Sequence, residues 1–454
     1  MRICYVSNFF PPESNAGTEI YTLGIAQAMQ ARGHAVSVFA AGRWAEGDLY
    51  CGQPRDSVEY GIPVRRLDLN WRRAPDPFRY LYDNPIAAKH WEVYLRQVVP
   101  DVVHIMSTYT LSACVIFIAK ALGLPVIVTL HDYWFLCPRI SLVRSDGMIC
   151  DGHVPARECL KCMTCREKVY RWPRKWMPEG TVLAMLELGA RVPMLARMRG
   201  FTGLVGNYEA RRMALHKAIH LADRILVPSR FLAPFFISHG FPAERIQVLE
   251  EGIDTRWHTG HVPRKPANCL RIGYIGQVIP VKGVHVLIAA FRRLHGPAIL
   301  TIYGEPRQNQ AYFEQLNALA KGDPHIIFAG RFAHEALEQV LAQVDVLVVP
   351  SLWRETFCIV AREALLAGVP VIGSQIGGIS DAIQHGQNGY LFPPGDVEAL
   401  VNYLQRLIDH PSLLDDLRHG IGRIRSVEEE AAEMEVEYEQ LVSGHRAGLK
   451  EKIT

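Results

Sequence analysis

Short runs, most of them dominated by apolar residues, recur along this chain, each followed by a loop and then an amphipathic stretch. A strand wetted on one face alternates polar and apolar residues, whereas an unbroken apolar strand is buried on both faces. Strands of the second kind, alternating with helices, mean parallel sheets covered on either side. The runs fall at 2–7, 35–40, 64–69, 102–106, 126–130 and 225–228, then at 271–275, 298–303, 325–328, 346–349 and 370–373. Helices are predicted between them, among them Thr18–Ala31, Val284–Leu294, Thr356–Ala367 and Val397–Asp409. The basic, aperiodic HVPRKPANC (261–269) reads as a linker. The expectation is an α/β chain with two doubly wound domains, 1–262 and 263–425. The acidic stretch VEEEAAEMEVEYEQLV (427–442) is predicted as a helix within 426–454 that packs back on the first domain.

The 454 residues suit two or three domains, and an apolar fraction of 49% is ample for their cores. A net charge of +3 is too small to make duplex nucleic acid the main ligand. MRICYVSNFF begins a strand at residue 2 without a charged-then-apolar leader, so no signal peptide is expected. The run 111–130 is long enough to span a bilayer, but Lys120, Gly123 and Pro125 break it into a helix and a buried strand. Ten cysteines without a leader point to a reducing cytoplasm.

In open parallel sheets, ligands sit at the carboxyl ends of the strands. The first βα turn lacks G-x-G-x-x-G, which disfavours a dinucleotide-binding oxidoreductase. The loops at that edge instead hold groups suited to a nucleoside diphosphate. Ala16-Gly17-Thr18 opens a helix whose N–H groups can approach an anion. Lys282 precedes Gly283 in GQVIPVKG, and PSLWRETF carries Glu355 and the N–H groups after it. Glu363 lies eight positions beyond, beside Ile359, Val360, Leu366 and Ala367 on a helix, where a bare carboxylate is costly unless bonded. A solvated lysine and a carboxylate paired to arginine are the plainer readings of Lys282 and Glu363.

Five segments then fall in a familiar order: LHD (130–132), VPS (227–229), EGID (251–254), GYIGQVIPVKGVHVLIAAF (273–291) and PSLWRETFCIVAREALLAGVPVIGSQIGGISDAI (350–383). On them the chain resembles, over nearly its whole length, the retaining glycosyltransferases of family 4. The resemblance implies the GT-B fold, two Rossmann-like parallel-sheet domains facing across a cleft. It implies transfer of a sugar from a nucleotide-diphosphate donor to a glycan or lipid-linked acceptor in cell-surface polysaccharide biosynthesis. Retention would follow from front-face attack without a protein nucleophile. It implies that His131 and Glu355 lie beside the transferred sugar and that Lys282 neutralises the diphosphate. Gly17 would give its N–H to the phosphates, Gln277, Phe357, Cys358 and Ile359 would complete the donor loops, and Glu363 would hold the ribose hydroxyls. Gln277 stands where the family often has Arg, Thr356-Phe357-Cys358 where Gly-Phe-Gly is common, and Glu251 where Asn is usual. No D-x-D occurs, so no cofactor is expected for catalysis. Two other readings are a non-catalytic scaffold and a sugar-nucleotide epimerase of the same fold.

The first domain carries an insertion at about 137–170 with Cys137, Cys150, Cys159, Cys162 and Cys165. Five cysteines so close together suggest a metal site, with four thiolates around a structural zinc. Free thiols, an iron–sulfur cluster and disulfides are the other readings. Beyond it, residues 166–190 mix Arg and Lys with Trp before an apolar stretch. That pattern fits peripheral contact with the inner face of a membrane, or an ordinary protein surface.

Overall fold

The computed structural model of the chain describes residues 1–14, 16–44, 46–165, 175–192, 194–195, 206–260, 262, 268–305 and 310–451. The chain divides into two compact units. The first comprises 1–228, 233–250 and 428–454, and the second 229–232 and 251–427. The chain leaves the first unit at Glu250, ahead of the linker read at 261–269, of which 261 and 263–267 lie outside the described residues.

The first unit is built on eight strands: β1 (Arg2–Ser7), β2 (Ala35–Trp44), β3 (Arg55–Glu59), β4 (Ile62–Leu69), β5 (Val102–Ile105), β6 (Val126–Thr129), β7 (Arg224–Val227) and β8 (Ile246–Val248). Their order is β3-β4-β2-β1-β5-β6-β7-β8. Every pairing is parallel except β3 with β4. That hairpin turns on Tyr60 and Gly61, whose φ angles of 52° and 79° define a two-residue turn matched to strand twist. RDSVE is too polar to announce itself as a strand. β5 and β6 are buried at every residue, His104 and Thr129 included.

The second unit has six parallel strands: β9 (Leu270–Ile275), β10 (Ala298–Tyr303), β11 (Ile326–Gly330), β12 (Val346–Val349), β13 (Val371–Ser374) and β14 (Gly389–Phe392). Their order is β11-β10-β9-β12-β13-β14. β9 and β12 are central neighbours, so the loops that follow them emerge side by side at the carboxyl edge.

The helix Val427–Glu451 belongs, from Glu428 on, to the first unit. Val427, Ala431, Met434, Tyr438 and Val442 are buried, at the spacing of one helical face. The acids flanking that stripe have partners. Glu435 accepts from Arg32 Nε at 2.8 Å and lies 2.7 Å from His34 Nε2, Glu437 accepts from Gln247 at 2.8 Å, and Glu430 accepts from the Tyr21 hydroxyl. At the centre, the Tyr438 hydroxyl lies 2.6 Å from His104 Nδ1 and 3.1 Å from the Tyr5 hydroxyl, while His104 Nε2 meets Thr129 Oγ1 at 2.7 Å.

Tyr438→Phe strands a buried imidazole nitrogen and should cost about 1–3 kcal/mol, read from the urea midpoint. Burial, aided by the neighbouring His131 charge, holds the His104 pKa down at about 3, against about 6.5 in an unfolded chain. Between those values the unfolded chain binds a proton that the folded one refuses, so this contribution to stability falls as pH drops through the window. Asp132, lifted to about 6 by burial, drives the opposite trend over part of that range. The slope of stability against pH should therefore be less positive in His104→Gln than in the unaltered chain, the Asp132 part being common to both.

Candidate functional site

The second unit gathers seven of the predicted residues at the carboxyl edge of its sheet. The loop after β9 runs through Gln277 to a 3-10 turn, Pro280–Lys282, and then the helix Val284–Phe291. Gly283 makes the corner at φ 71°, and a Cβ there would lie 1.9 Å from the Pro350 carbonyl oxygen. Leu352 N–H donates to the Val281 carbonyl at 2.8 Å. The loops after β9 and β12 are thus stitched together, and Lys282 is set beside Glu355. Gln277 itself is exposed; Tyr274 donates its hydroxyl to the Gln277 carbonyl at 2.7 Å.

Glu355 is 7% exposed. Its Oε1 accepts from Lys282 Nζ at 2.6 Å, Ser351 Oγ at 2.8 Å and Trp353 Nε1 at 2.8 Å. Lys282 also sits 5.3 Å over the Trp353 ring. The lysine expected to await a diphosphate is already balanced by the glutamate expected to face the sugar. Ser351 and Trp353 were not singled out in the sequence, although both lie within four residues of Glu355.

The helix predicted from Thr356 begins at Ile359, because Cys358 adopts φ 68° as its N-cap residue. The cause lies in the Gly-Gly loop after β13. A Cβ on Gly377 would meet the Glu355 carbonyl at 2.4 Å, and one on Gly378 the Thr356 carbonyl at 2.6 Å. Gly378 N–H donates to the Glu355 carbonyl at 2.7 Å. Backbone packed this closely holds residues 355–357 out of helical geometry and presents their chain at the edge. Phe357 is buried under the Arg362 guanidinium, 3.6 Å from its ring centre. The Cys358 thiol is pushed up to about 12 by burial, with Glu355 adding to the shift, and stays protonated.

Glu363 has a protein partner, and it is not arginine. His334 Nε2 lies 3.1 Å from Glu363 Oε1, with side-chain exposures of 51% and 12%. Glu363 raises the His334 pKa above its ordinary value. His334 follows β11, so this pair also stands at the carboxyl edge.

In the first unit, Gly17 is the first residue of the helix Gly17–Ala31, whose N-cap, Ala16, supplies no side-chain acceptor. His131 follows β6, its ring 4.9 Å from that of Tyr21 and tilted by 60°. Tyr21 is in turn bonded to Glu430, so the returning helix braces the ring that borders His131. Burial raises the pKa of Glu19, with His131 opposing and Asp132 adding to the shift.

Of the five cysteines, Cys137, Cys150, Cys159 and Cys162 line one small cavity. Cys165 lies at the end of the helix Ala156–Thr164, bonded to the Ser145 hydroxyl. The Cys159 thiol is pushed up to about 12 by burial and by its neighbours Cys137 and Cys150. Among the described residues no group of three or more His, Cys, Asp or Glu side chains is arranged to hold a metal ion. The closed four-ligand site expected from the spacing is thus not formed as the thiols stand. Residues 166–174 of the basic, Trp-containing stretch lie outside the described residues.

Two family models match the chain, one described as a glycosyl transferase 4-like domain over residues 16–177 and one as glycosyl transferases group 1 over 261–422. The chain is similar to the glycogen synthase of Mycobacterium tuberculosis, 36% identical over 178 residues, which cover 37% of this chain and 41% of that protein. The matches span from about two fifths to just over half the length of such curated relatives. Among solved structures, sucrose-phosphate synthase from Thermosynechococcus elongatus is 20% identical with a TM-score of 0.67, covering 98% of this chain and 99% of that one. HepE from Anabaena, in complex with UDP and glucose, is 18% identical with a TM-score of 0.58, covering 99% of this chain and 98% of that one. These likenesses show the two-domain GT-B fold.

Gly378→Ala should cost about 1–3 kcal/mol, because the added methyl meets backbone that cannot swing aside. Gly422→Ala, with nothing within 4 Å of the new Cβ, is the near-neutral control for the same urea titration.

Proposed function

Because this chain belongs to the glycosyl transferases group 1 family, we propose that it moves a sugar from a nucleoside-diphosphate sugar to a hydroxyl of a glycan or lipid-linked acceptor, with retention at the anomeric carbon. The observation that carries this reading is the Lys282–Glu355 pair, fixed by Ser351 and Trp353 at the carboxyl edge of the second sheet. Glu355 there would take hydroxyls of the sugar. Lys282 would take the diphosphate, and the starts of the helices Val284–Phe291 and Ile359–Leu366 face the same edge. As the bond from the anomeric carbon to the phosphate oxygen breaks, negative charge grows on that oxygen. A cation already held in place stabilises it without reorganisation. The acceptor oxygen bonds to the anomeric carbon, and its proton leaves with the departing phosphate oxygen. His131, its ring bordered by Tyr21, would contact the transferred sugar. Glu363 would exchange His334 for the ribose hydroxyls.

The likeness to HepE makes a uridine diphosphate sugar the first donor to try, and the likeness to glycogen synthase favours a growing polysaccharide, in our reading one destined for the cell surface. We propose a membrane-surface acceptor, a reading supported by the exposed apolar side chains Trp176, Met185 and Leu188 in a segment that begins with Lys175. Among the described residues no helix is long and apolar enough to cross a membrane.

Calorimetric titration with a nucleoside and with its diphosphate separates the roles. Glu363→Ala should weaken both ligands alike, by about 1.5–3 kcal/mol, as a lost charge-assisted hydrogen bond would. Unchanged affinity in a folded variant removes the ribose assignment.

Lys282→Ala should weaken the diphosphate far more than the nucleoside and depress turnover with it. Equal losses exclude the phosphate role. The same change leaves Glu355 buried without its cation, so the urea midpoint should fall too, and Lys282→Arg should recover more of the midpoint than of the turnover.

A further inference from the structure

We propose that Cys137, Cys150, Cys159 and Cys162 form a structural zinc site and that Cys165 is not among its ligands. The four sulfur-bearing residues line a single cavity of about 30 Å³. That is room for one ion or one water, and too little for an organic ligand. They reach it from three separate pieces of chain. Cys137 lies in the loop after β6. Cys150 follows a small hairpin, closed by the Val143–Ile149 bridge and by its own N–H on the Leu142 carbonyl at 2.7 Å. Cys159 and Cys162 stand three apart on the helix Ala156–Thr164, hence on one face. Cys165 lies past the end of that helix, turned to Ser145 and outside the cavity lining.

Two further features suit a thiolate site. Sulfurs that bind metal are commonly stabilised by donors behind them. Here Ser145 N–H points at Cys162 Sγ at 3.4 Å. Zinc with four thiolates carries two negative charges, and Arg139 and Arg144 line the same cavity, with Glu158 the opposing charge. The segment also needs an anchor. Between Cys137 and Cys165, only Leu142, Val143 and Leu160 are buried apolar side chains. So small a core rarely orders a module of this length without a staple.

As placed, the thiols surround the cavity without the arrangement that holds a metal. Binding must therefore draw them inward. Four thiols and one Zn²⁺ give a tetrathiolate complex and four protons released to solvent, with no change of oxidation state. The inference does not depend on the transfer reaction, and its test reads metal rather than turnover.

The full chain, purified under reducing conditions with a tag that does not chelate metal, should contain about one zinc by elemental analysis. Exchange with cobalt(II) should give the visible absorption of a tetrahedral thiolate site. Cys150→Ser should lose the metal, and Cys165→Ser should keep it in full. Should Cys150→Ser fail to fold, the Cys165→Ser result and the cobalt spectrum still decide. Folded protein with five titratable thiols in the segment and no zinc overturns the proposal, as do iron with labile sulfide or a disulfide that survives reducing purification. Zinc lost equally from Cys165→Ser overturns the choice of ligands.

Discussion

A carboxylate taken out of water must be hydrogen-bonded, and much of the second unit's loop edge is arranged around that demand at Glu355. Three donors from two loops converge on one of its oxygens. For Lys282 to reach it, the loop after β9 must cross the one after β12 at the backbone, which only glycine at 283 allows. For the chain around Glu355 to stay out of the helix that follows it, the loop after β13 must press against it, which requires Gly377 and Gly378. The charge pair and the glycines are one device. The cation and the anion are held before any ligand arrives, and the strain of a left-handed Cys358 is borne by the same packing.

In the first unit the same rule works on a longer scale. His104 sits on a central strand among apolar neighbours, and its two nitrogens are satisfied by Thr129 and by Tyr438, more than three hundred residues away in sequence. Part of the acidic character of the returning helix has a specific cause, since Glu430, Glu435 and Glu437 each meet a hydroxyl, a cation or an amide of the sheet domain.

Which of this could be read from sequence follows from how local each cause is. Central parallel strands are legible because burial on both faces leaves an unbroken apolar run. β3 is not, because a polar edge strand has no such run, and β14 is short and opens on Gly389. Lys282, Glu355 and Glu363 stand out because a charged side chain amid apolar residues demands a reason. The reasons themselves are long-range: Lys282 is 73 residues from Glu355, and His334 is 29 from Glu363. The start of the helix at Ile359 is decided by a loop that follows the next strand, so local propensity points three residues too early. The cysteine spacing announces a cluster, but only the fold of the segment shows that four of the five line one cavity while Cys165 lies at Ser145 outside that lining.

The division of the chain has a consequence for how it comes to be folded. The second unit is almost one continuous stretch, whereas the first is assembled from segments on both sides of it. During synthesis, β1 to β8 emerge early, yet the helix that covers Tyr5, Tyr21 and His104 is made only after all six strands of the second sheet. Until then those buried hydroxyls and the imidazole lie open to water, at the far end of very long loops to be closed. A nascent chain of this design carries an unfinished first unit through most of its own translation. The unit that begins first is completed last.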